Sequence, residues 1–334
     1  MAKKIAINGF GRIGRLTLRK ILQNADLEVV AVNDLTDNAQ LAHLFKFDSS
    51  QGIYQGKVTA DATSISIDGK KIAGLSEPDP AKLPWKDLGV DLVLECTGRF
   101  VKKSDAEKHL TAGAKKVILS APAKGKDVQT IVIGVNHDKI DPKETVYSNA
   151  SCTTNCFAPL VKIIDENWGI IKGTMCTIHA YTADQNLQDA PHKGDWRRAR
   201  AAAVNIVPTS TGAAKAVDEV YPGVGSKFFA TAMRVPVVSG SLVECNCIVS
   251  KATDKASINA AFKQAADTNL RGILEYSEDE LVSTDIIGNT HSSIFDSKLT
   301  DAMGDFVKVI AWYDNEAGYS ARLAQLCGMI AQTI

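Results

Sequence analysis

The chain has 334 residues, which is enough for two domains that each bury a core. Its 38 basic and 38 acidic residues cancel, so no global charge points to a nucleic-acid or membrane partner. No apolar run reaches the roughly 18 residues of a membrane-spanning helix, and polar residues interrupt the N-terminal apolar stretch where a signal peptide would need to continue. The seven cysteines are scattered without CxxC pairs, so we expect free thiols, a reducing cytoplasm and no metal site.

The N-terminal segment has the pattern of a dinucleotide-binding unit. The apolar run at 3–7 predicts a strand, and Gly9, Gly11 and Gly14 follow it at the G-x-G-x-x-G spacing. Residues 13–22 then have helical periodicity, so phosphates would lie at a helix N-terminus. The glycines permit a tight turn, close approach of the backbone to a pyrophosphate and close helix packing. A glycine turn in another kind of α/β unit is the alternative.

An acidic residue follows the second strand of this unit. Residues 27–32 predict that strand, and Asp34 lies 20 residues after Gly14. A carboxylate at this position binds the ribose 2′-hydroxyl of NAD and repels the 2′-phosphate of NADP. NAD is therefore the predicted cofactor.

Two further buried strands are predicted at 90–96 and 116–119. Ligands of open α/β sheets collect at the carboxyl ends of the strands. Thr97, Gly98 and Ser120 are therefore candidate cofactor contacts. Ordinary turn chemistry is the alternative for each of them.

Two predicted helices contain residues that bear on where each helix begins. Residues 104–113 predict a helix in which Ser104 and Glu107 form a capping box. Pro159 lies inside a second helix, predicted at 157–168, where it removes a hydrogen bond and crowds the preceding turn. We therefore expect a kink or a delayed helix start near Pro159.

Cys152 is the central candidate for catalysis. Residues 145–147 predict a strand, small polar residues of the kind that cap helices follow it, and the helix at 157–168 comes next. We therefore expect Cys152 in the first turn of a helix, where free N–H groups and the helix dipole favour an anion. The pKa of a thiol placed there would fall. A buried, inert cysteine at a helix start is the alternative.

The second half of the chain has a different pattern. Long strands with few crossover helices predict an α+β domain on a mixed or antiparallel sheet, at 169–182, 228–235, 241–249 and 305–313. The predicted fold is therefore a doubly wound Rossmann-type α/β sheet followed by an α+β domain. We place the nucleotide-binding domain at 1–150, joined by a C-terminal helix at 316–334, and the catalytic domain at 151–315.

His179 ends the first of these long strands. A hydrogen-bonded structural histidine is the alternative to a catalytic one. A nucleophilic Cys152 would need a proton acceptor nearby, and His179 is the candidate.

Two features suit a phosphorylated ligand. The long loop at 182–205 contains Arg197 and Arg198, which could hold a phosphate through bidentate hydrogen bonds, with a charged surface as the alternative. Arg234 lies between apolar neighbours on a strand and needs a partner, either an anionic ligand or an internal carboxylate.

Thr211 and Gly212 precede a predicted helix at 213–220, which offers a second N-terminus to an anion. A dinucleotide, a thiol, a base and two anion sites together suit one reaction. The thiol adds to an aldehyde, a hydride passes to NAD, and inorganic phosphate releases the resulting thioester as an acyl phosphate.

The motifs resemble those of the phosphorylating glyceraldehyde-3-phosphate dehydrogenases along the whole chain. The matching stretches are INGFGRIGR at 7–15, SCTTN at 151–155, HAYT at 179–182, TGAAK at 211–215 and WYDNE at 312–316. The resemblance implies a homotetramer that converts glyceraldehyde 3-phosphate to 1,3-bisphosphoglycerate in glycolysis and gluconeogenesis. It also implies Cys152 as nucleophile and His179 as base.

The resemblance implies three sets of binding residues as well. The phosphate of the aldehyde is expected at Thr182, Arg234 and Arg198, with Arg197 as a competitor. The attacking phosphate is expected at Ser151, Thr153, Thr211 and Gly212. Cofactor contacts are expected at Arg12, Ile13, Asp34, Ser120, Asn315 and a backbone group of Pro78.

Two positions depart from the family pattern. Pro78 stands where arginine is usual, and Ala190 stands where NAD-specific members commonly have leucine. The stretch Asp34-Leu35-Thr36 still favours NAD. Two other functions remain open at this point: an erythrose-4-phosphate dehydrogenase, and a non-catalytic nucleotide-binding regulator with an incidental cysteine.

Overall fold

The computed structural model describes residues 2–334, which divide into two compact units. The first unit runs to Ile131 and includes Asp138–Ser151 and Ser320–Ile334. The second comprises Val132–His137 and Cys152–Tyr319. None of the helices in the described part of the chain is long and apolar enough to cross a membrane.

The first unit is built on a nine-stranded sheet. Its strands in chain order are β1 (Lys3–Asn8), β2 (Leu27–Asn33), β3 (Val58–Asp61), β4 (Ser64–Ile67), β5 (Lys70–Leu75), β6 (Leu92–Glu95), β7 (Lys116–Leu119), β8 (Gln129–Thr130) and β9 (Val146–Ser148). Their order in the sheet is β3-β4-β5-β2-β1-β6-β7-β9-β8. The parallel stretch β5-β2-β1-β6-β7-β9 has the strand order of a doubly wound Rossmann sheet, so this part of the predicted fold is confirmed.

Four helices connect these strands: α1 (Arg12–Ile21), α2 (Asn38–Lys46), α3 (Trp85–Leu88) and α4 (Lys103–Thr111). Helix α4 has Lys102 at its N-cap, and no side chain caps it. The predicted capping box of Ser104 and Glu107 is therefore wrong. Because the helix begins before Ser104, that serine lies inside the first turn and past the capping position.

The second unit is built on an eight-stranded mixed sheet, as predicted. Its elements in chain order are α5 (Cys152–Trp168), β10 (Ile170–Ala180), β11 (Val207–Ser210), α6 (Ala213–Val220), β12 (Phe228–Val235), β13 (Ser241–Val249), α7 (Lys255–Asp267), β14 (Leu274–Ser277), β15 (Ser293–Asp296), β16 (Asp301–Met303) and β17 (Phe306–Tyr313). The strand order is β11-β12-β10-β13-β17-β15-β14, with β16 paired to β17. Within this second sheet, as far as the described residues go, only the pairs β10–β12 and β14–β15 are parallel.

One face of this sheet is covered by helices and the other is open. Residues of β13 alternate strictly between buried and half-buried. The buried side carries Val243, Cys245 and Cys247, and α5 packs against β10, β13, β15 and β17. Helix α5 already begins at Cys152 and contains Pro159, so the delayed start, one of the two effects expected of the proline, does not occur. The kink stays a prediction. Burial of the helix on both sides of the proline offsets the missing hydrogen bond.

The last helix, α8 (Ala317–Ala331), carries the apolar stripe expected from the sequence. Leu323, Leu326, Cys327 and Ile330 are all fully buried. Near the end of the chain, Lys3 Nζ donates a hydrogen bond of 2.6 Å to the backbone oxygen of Ile334. The stripe is therefore a packing surface, as its 3.6-residue period indicates.

Gly14→Ala is expected to destabilise the first unit. An added Cβ would lie 2.3 Å from the carbonyl oxygen of Gly9, a backbone atom that moves only if the whole turn shifts. Overpacking of this kind costs about 1–3 kcal/mol, so the midpoint of urea denaturation should fall.

Gly11→Ala is the matched control for this substitution. Apart from Gly11 itself and its chain neighbours, no atom of the described residues comes within 4 Å of a Cβ added there. Because Gly11 is the N-cap of α1, where alanine is less favourable than glycine, the free energy of unfolding should fall by no more than about 1 kcal/mol, clearly less than in Gly14→Ala. Equal losses in the two variants would contradict the packing role of Gly14.

Candidate active site

A strained turn carries the chain from β9 to α5. Between them Ala150 is fully buried and has φ 55°, the left-handed conformation that costs an L-residue roughly 1–2 kcal/mol. Strain of this kind persists where the surrounding structure fixes it, commonly at functional sites. The first residue of α5 is Cys152, so its predicted place in the first turn of a helix is confirmed.

The structure brings Cys152 and His179 together. Cys152 Sγ lies 3.5 Å from His179 Nε2, within hydrogen-bonding distance for sulfur. His179 is buried near the end of β10, and Cys152 is half-buried. A thiol and an imidazole at this distance can exchange a proton, which is the arrangement of an activated cysteine nucleophile.

The pKa of Cys152 does not follow the sequence-based expectation. Burial raises the pKa of the thiol above its ordinary value, while the charge of Arg234 and hydrogen bonds from Thr153 act to lower it. The predicted fall in pKa is therefore wrong in direction for the free protein, because desolvation outweighs the helix N-terminus. The thiol keeps partial contact with solvent, so this penalty is smaller than for a fully sealed sulfur.

Arg234 controls the protonation of His179. Its Nη1 lies 2.6 Å from His179 Nδ1, and a guanidinium group can only donate. Nδ1 therefore accepts, and the ring proton is on Nε2, facing Cys152. Burial, followed by the charge of Arg234, lowers the pKa of His179 to about 3, so the imidazole is neutral at pH 7. The carbonyl oxygen of Ala180, 2.7 Å from Nδ1, is the alternative partner of that nitrogen.

Tyr313 is a residue of this site that sequence reasoning missed. Its hydroxyl lies 2.8 Å from Thr153 Oγ1 and 2.8 Å from Thr177 Oγ1. Its ring meets the ring of His179 edge to face, with 5.8 Å between the centroids. Burial raises the pKa of Tyr313 well above its ordinary value, so the phenol stays protonated. The pairing of β13 with β17 positions Tyr313, and a single sequence does not reveal that register.

Two predicted phosphate-binding residues share a carboxylate. Thr182 Oγ1 donates to Asp184, and Arg198 Nη1 forms an ion pair with the same side chain. Arg198 Nε also lies 3.3 Å from Asp195. Arg197, the competing residue, is exposed. Asp184, which sequence reasoning missed, thus binds two donors of the kind that bind phosphate.

The second predicted anion site lies at the start of α6. Gly212 is the N-cap of this helix, and no atom of the described residues approaches the position of an added Cβ. Thr211 Oγ1 accepts a hydrogen bond of 3.2 Å from the N–H of Ala213. Helices α5 and α6 pack against each other. Ser151, which precedes α5, is half-buried.

The glycine turn between β1 and α1 fits a dinucleotide. Gly9 has φ 93°, and a Cβ there would lie 2.6 Å from the backbone N of Thr97. Gly14 allows α1 to pack against the turn, whereas the space beside Gly11 is open. Open space at a helix N-terminus is what a pyrophosphate needs for close approach.

Asp34 is held beside this turn. Its carboxylate accepts hydrogen bonds from the backbone N–H of Phe10 at 2.8 Å and of Thr36 at 3.1 Å. The side chain remains half-buried, so its remaining lone pairs are accessible to ribose hydroxyls.

The side chain of Arg12 is engaged elsewhere. It forms an ion pair with Asp48, and its Nη2 donates to Ser50 Oγ at 2.6 Å. Arg12 and Ile13 are the first two residues of α1. Any contact that they make with a phosphate would therefore use their backbone N–H groups.

A buried hydrogen-bond network, also missed from the sequence, joins the ends of three strands. Asn8 Nδ2 donates to Glu95 Oε2 at 2.6 Å, and Asn33 Nδ2 donates to Asn8 Oδ1 at 2.7 Å. Asn33 also exchanges two hydrogen bonds with the backbone of Glu77, each 2.9 Å long. The network thereby fixes the residue directly before Pro78.

Glu95 organises the ends of β6 and β7 through its carboxylate and its backbone carbonyl. Glu95 Oε1 accepts from the backbone N–H of Thr97 at 2.8 Å, and Gly98 follows with φ 69°. The N–H of Ser120 donates to the carbonyl oxygen of Glu95 at 2.9 Å. Thr97, Gly98 and Ser120 therefore lie at one edge of the sheet. Asn315, the remaining predicted cofactor contact, lies in the second unit, where its Oδ1 accepts from Ser241.

Comparison with known proteins agrees with this geometry. The family model for the NAD-binding domain of glyceraldehyde 3-phosphate dehydrogenase matches residues 3–103, and the model for its C-terminal domain matches residues 151–315. Glyceraldehyde-3-phosphate dehydrogenase 2 of Streptomyces avermitilis is 55% identical, and the enzyme of Clostridium acetobutylicum is 53% identical. Each comparison covers 98% of both chains. The chain belongs to the glyceraldehyde-3-phosphate dehydrogenase family.

Proposed function

We propose that this protein oxidises glyceraldehyde 3-phosphate with NAD and inorganic phosphate to 1,3-bisphosphoglycerate, with Cys152 as nucleophile and His179 as base. The observation that carries the proposal is the 3.5 Å distance between Cys152 Sγ and His179 Nε2, in a chain of this family. A regulator without catalytic activity would have no need for a thiol and an imidazole in contact at a helix N-terminus.

The protonation of His179 supplies the first step. When the substrate phosphate engages Arg234, the guanidinium no longer donates to His179 Nδ1. The neutral ring then changes tautomer: Nε2 gives up its proton to solvent, and Nδ1 gains one, which it donates to the oxygen of Ala180, 2.7 Å away. The lone pair of Nε2 then faces Cys152 and takes the proton of the thiol. The thiolate adds to the aldehyde carbon, and the imidazolium returns the proton to the oxygen, which gives a hemithioacetal.

The second and third steps use the same two side chains. Bound NAD would supply the acceptor for the hydride that leaves the hemithioacetal carbon. His179 Nε2 removes the hydroxyl proton at the same time, and a thioester on Cys152 remains. Inorganic phosphate then attacks the thioester carbon, the acyl phosphate leaves, and Cys152 is released as thiolate next to the imidazolium.

Three sets of residues are proposed to bind the reactants. Thr182, Arg198 and Arg234 hold the substrate phosphate; Arg198 is preferred over Arg197 because Asp184 holds it beside Thr182. The attacking phosphate is assigned to Ser151, Thr153, Thr211 and Gly212. NAD is assigned to Gly9, Gly11, Arg12, Ile13, Gly14, Asp34, Pro78, Thr97, Gly98, Ser120 and Asn315.

A homotetramer in the cytoplasm is proposed as the working form. The open face of the second sheet exposes apolar side chains, and the register across β10, β13 and β17 places Phe229, Met303 and Phe306 on the same side. Phe229 is 83% exposed in the single chain. The segment between β10 and β11 exposes a second set of apolar side chains, namely Leu187, Trp196, Val204 and Ile206. Two apolar surfaces suit a tetramer, which needs more than one interface.

Cys152→Ser is expected to abolish aldehyde oxidation while NAD still binds. A serine hydroxyl is much less acidic and less nucleophilic than a thiol, and the oxygen ester that it would form is less reactive towards phosphate than a thioester. The rate of NADH formation from glyceraldehyde 3-phosphate should fall by at least about 1,000-fold. NAD affinity, measured by calorimetric titration, should change less than about twofold.

Inorganic phosphate provides the control for this experiment. The wild-type protein should turn over continuously with phosphate and stop after about one equivalent of NADH without it, because the thioester then accumulates. A serine variant with near-normal turnover would refute the assignment of Cys152. Turnover independent of phosphate would refute the phosphorylating reaction.

Asp34→Asn is expected to relax the discrimination against NADP. The asparagine oxygen can still accept from the N–H of Phe10 or Thr36, but the negative charge that repels a 2′-phosphate is gone. The ratio of kcat/KM for NADP to that for NAD should rise by about tenfold or more. Asp34→Ala should change the ratio in the same direction and weaken both cofactors, since it also removes the acceptor. If the ratio of kcat/KM for NADP to that for NAD is unchanged in both variants, a residue other than Asp34 distinguishes the two cofactors.

Removal of Arg234 is expected to shift the reactivity of Cys152 to higher pH. Arg234 lowers the pKa of the thiol, and alkylation by iodoacetamide follows the thiolate, so the rate rises as pH passes through that pKa. The Arg234→Ala profile should therefore move up by about 1 pH unit. The comparison is made in a His179→Gln background, because loss of Arg234 would otherwise allow His179 to protonate and stabilise the thiolate.

Arg234→Lys in the same background is the matched control, because it keeps a positive charge and should shift the profile less. Alkylation is measured on the Cys152 peptide by mass spectrometry, which separates it from the other half-buried thiols, Cys96 and Cys176. An unchanged profile, or one moved to lower pH, would contradict the electrostatic role of Arg234.

A further inference from the structure

His109 is a buried histidine that the proposed reaction does not use. It lies on α4, is fully buried, and has a partner on each ring nitrogen. Trp85 Nε1 lies 2.9 Å from its Nδ1, and Glu95 Oε2 lies 3.1 Å from its Nε2. An indole N–H can only donate, so Nδ1 accepts and carries no proton. The ring is therefore neutral, and Nε2 donates its single proton to Glu95.

His109 is one of four donors around the buried carboxylate of Glu95. The oxygen that it contacts, Oε2, also accepts from Asn8 Nδ2 at 2.6 Å. The other oxygen, Oε1, accepts from the N–H of Thr97 at 2.8 Å and from the Thr97 hydroxyl. An ionised carboxylate has about four lone-pair positions, so the four donors occupy all of them. A buried charge is costly unless it is fully hydrogen-bonded, so the loss of any donor is expensive.

Glu95 orients two asparagine amides in series, and these three side chains form the strand-end network. Asn8 turns its Nδ2 towards the carboxylate, so its Oδ1 faces away and accepts from Asn33 Nδ2 at 2.7 Å. Asn33 Oδ1 then accepts from the N–H of Glu77, and Asn33 Nδ2 also donates to the carbonyl oxygen of Glu77. A half-turn of either amide would place donor against donor and acceptor against acceptor. The orientation of both amides therefore depends on an acceptor at Glu95.

Both ends of the strand-end network hold segments that are assigned to NAD. At one end Asn33 binds the backbone of Glu77, the residue before Pro78. At the other end Glu95 holds the turn that starts at Thr97, whose Oγ1 in turn accepts from a backbone N–H two residues later at 3.1 Å. All of these residues belong to the first unit. The network can therefore shape both segments before a cofactor binds.

We propose that His109 is a positioning residue for the adenosine and pyrophosphate parts of the cofactor, and that Trp85 fixes the tautomer in which it acts. The Nε2 proton completes the donors of Glu95, so the segments at Glu77 and Thr97 keep the one arrangement that binds the cofactor. Such preorganisation raises affinity because the cost of ordering is not met on binding. The inference rests on the proposed function, which assigns these segments to NAD. It adds a helix residue outside the strand ends to the groups that determine cofactor affinity.

ADP-ribose tests this inference, because it contains the adenosine and pyrophosphate of NAD and lacks the nicotinamide ring. In His109→Leu the Glu95 carboxylate loses one donor and the Trp85 indole loses its acceptor, so other arrangements of the network become populated. The apparent dissociation constant rises as the competent fraction falls, and we expect a rise of about tenfold or more. Calorimetric titration measures this constant without substrate, so the readout is independent of turnover.

His109→Gln is the rescue variant. Its amide nitrogen can donate to Glu95 and its amide oxygen can accept from Trp85, so the dissociation constant should stay within about threefold of the wild-type value. A role in packing alone would not favour glutamine over leucine in a buried site. Leu110→Ala is the matched control, because Leu110 lies on the same helix and packs against the core around Trp85. It should lower the thermal midpoint and leave the affinity for ADP-ribose unchanged.

Two further variants test the partners of His109, even if His109→Leu does not fold. Glu95→Gln keeps the shape of the side chain, but its amide nitrogen would face donors, so ADP-ribose should bind about tenfold more weakly or worse. Trp85→Phe keeps an aromatic ring in the core and removes the N–H that fixes the tautomer. The proton of His109 can then move to Nδ1, and the dissociation constant should rise by about threefold or more.

The outcomes separate the inference from the proposal on which it rests. A wild-type protein that binds neither ADP-ribose nor NAD would overturn the proposed cofactor assignment. Wild-type binding with unchanged constants in His109→Leu or in Glu95→Gln would overturn the positioning role of His109 and leave the proposed function standing. Equal losses in His109→Leu and His109→Gln would also overturn it, because the donated proton would then not matter. An unchanged constant in Trp85→Phe would overturn the role of Trp85.

Discussion

The contact between a thiol, an imidazole and a guanidinium group is the interaction on which the rest of the account depends. Cys152, His179 and Arg234 form a short chain in which each group changes the charge of the next. Burial alone would keep both the sulfur and the imidazole neutral, as their shifted pKa values indicate. The charge of Arg234 lowers the pKa of Cys152, against the effect of burial, and it lowers the pKa of His179 in the same direction as burial. In the free protein the Cys152 thiol is therefore protonated. A phosphate that binds Arg234 would free His179 Nδ1 from the guanidinium and allow the imidazole to act as a base.

The fold explains why these groups meet. His179 and Arg234 lie side by side because β10 and β12 pair in parallel with these two residues in register. Cys152 reaches them from the first turn of α5, which packs on the same sheet. In the first unit, three parallel strands end in Asn8, Asn33 and Glu95, whose side chains bond to one another. In both units, then, strand pairing brings polar residues from distant parts of the chain to one edge of a sheet.

Much of this arrangement can be predicted from local sequence. The spacing of Gly9, Gly11 and Gly14 between a strand and a helix is a local pattern, and so is the apolar period of α8. The position of Cys152 at a helix start also follows from its neighbours. The sign of its pKa shift does not, because it depends on desolvation by groups that tertiary packing brings near. Single-sequence reasoning also missed Tyr313 and Asp184. Tyr313 lies 160 residues from its partner Thr153, and Asp184 is separated from its partner Arg198 by an irregular loop.

The failed capping box at Ser104 shows a different limit, since a shift of helix start by one or two residues changes the role of every residue in the first turn.

The central claim is that the oxidised substrate becomes covalently attached to Cys152, and mass spectrometry of the peptide that contains Cys152 tests it most directly. The protein is mixed with glyceraldehyde 3-phosphate and NAD in phosphate-free buffer, quenched in acid and digested. The account predicts one phosphoglyceroyl group per chain, on the Cys152 peptide, that disappears when inorganic phosphate is added before quenching. Formation of NADH with an unmodified Cys152 peptide, or with the acyl group on another residue, would contradict it.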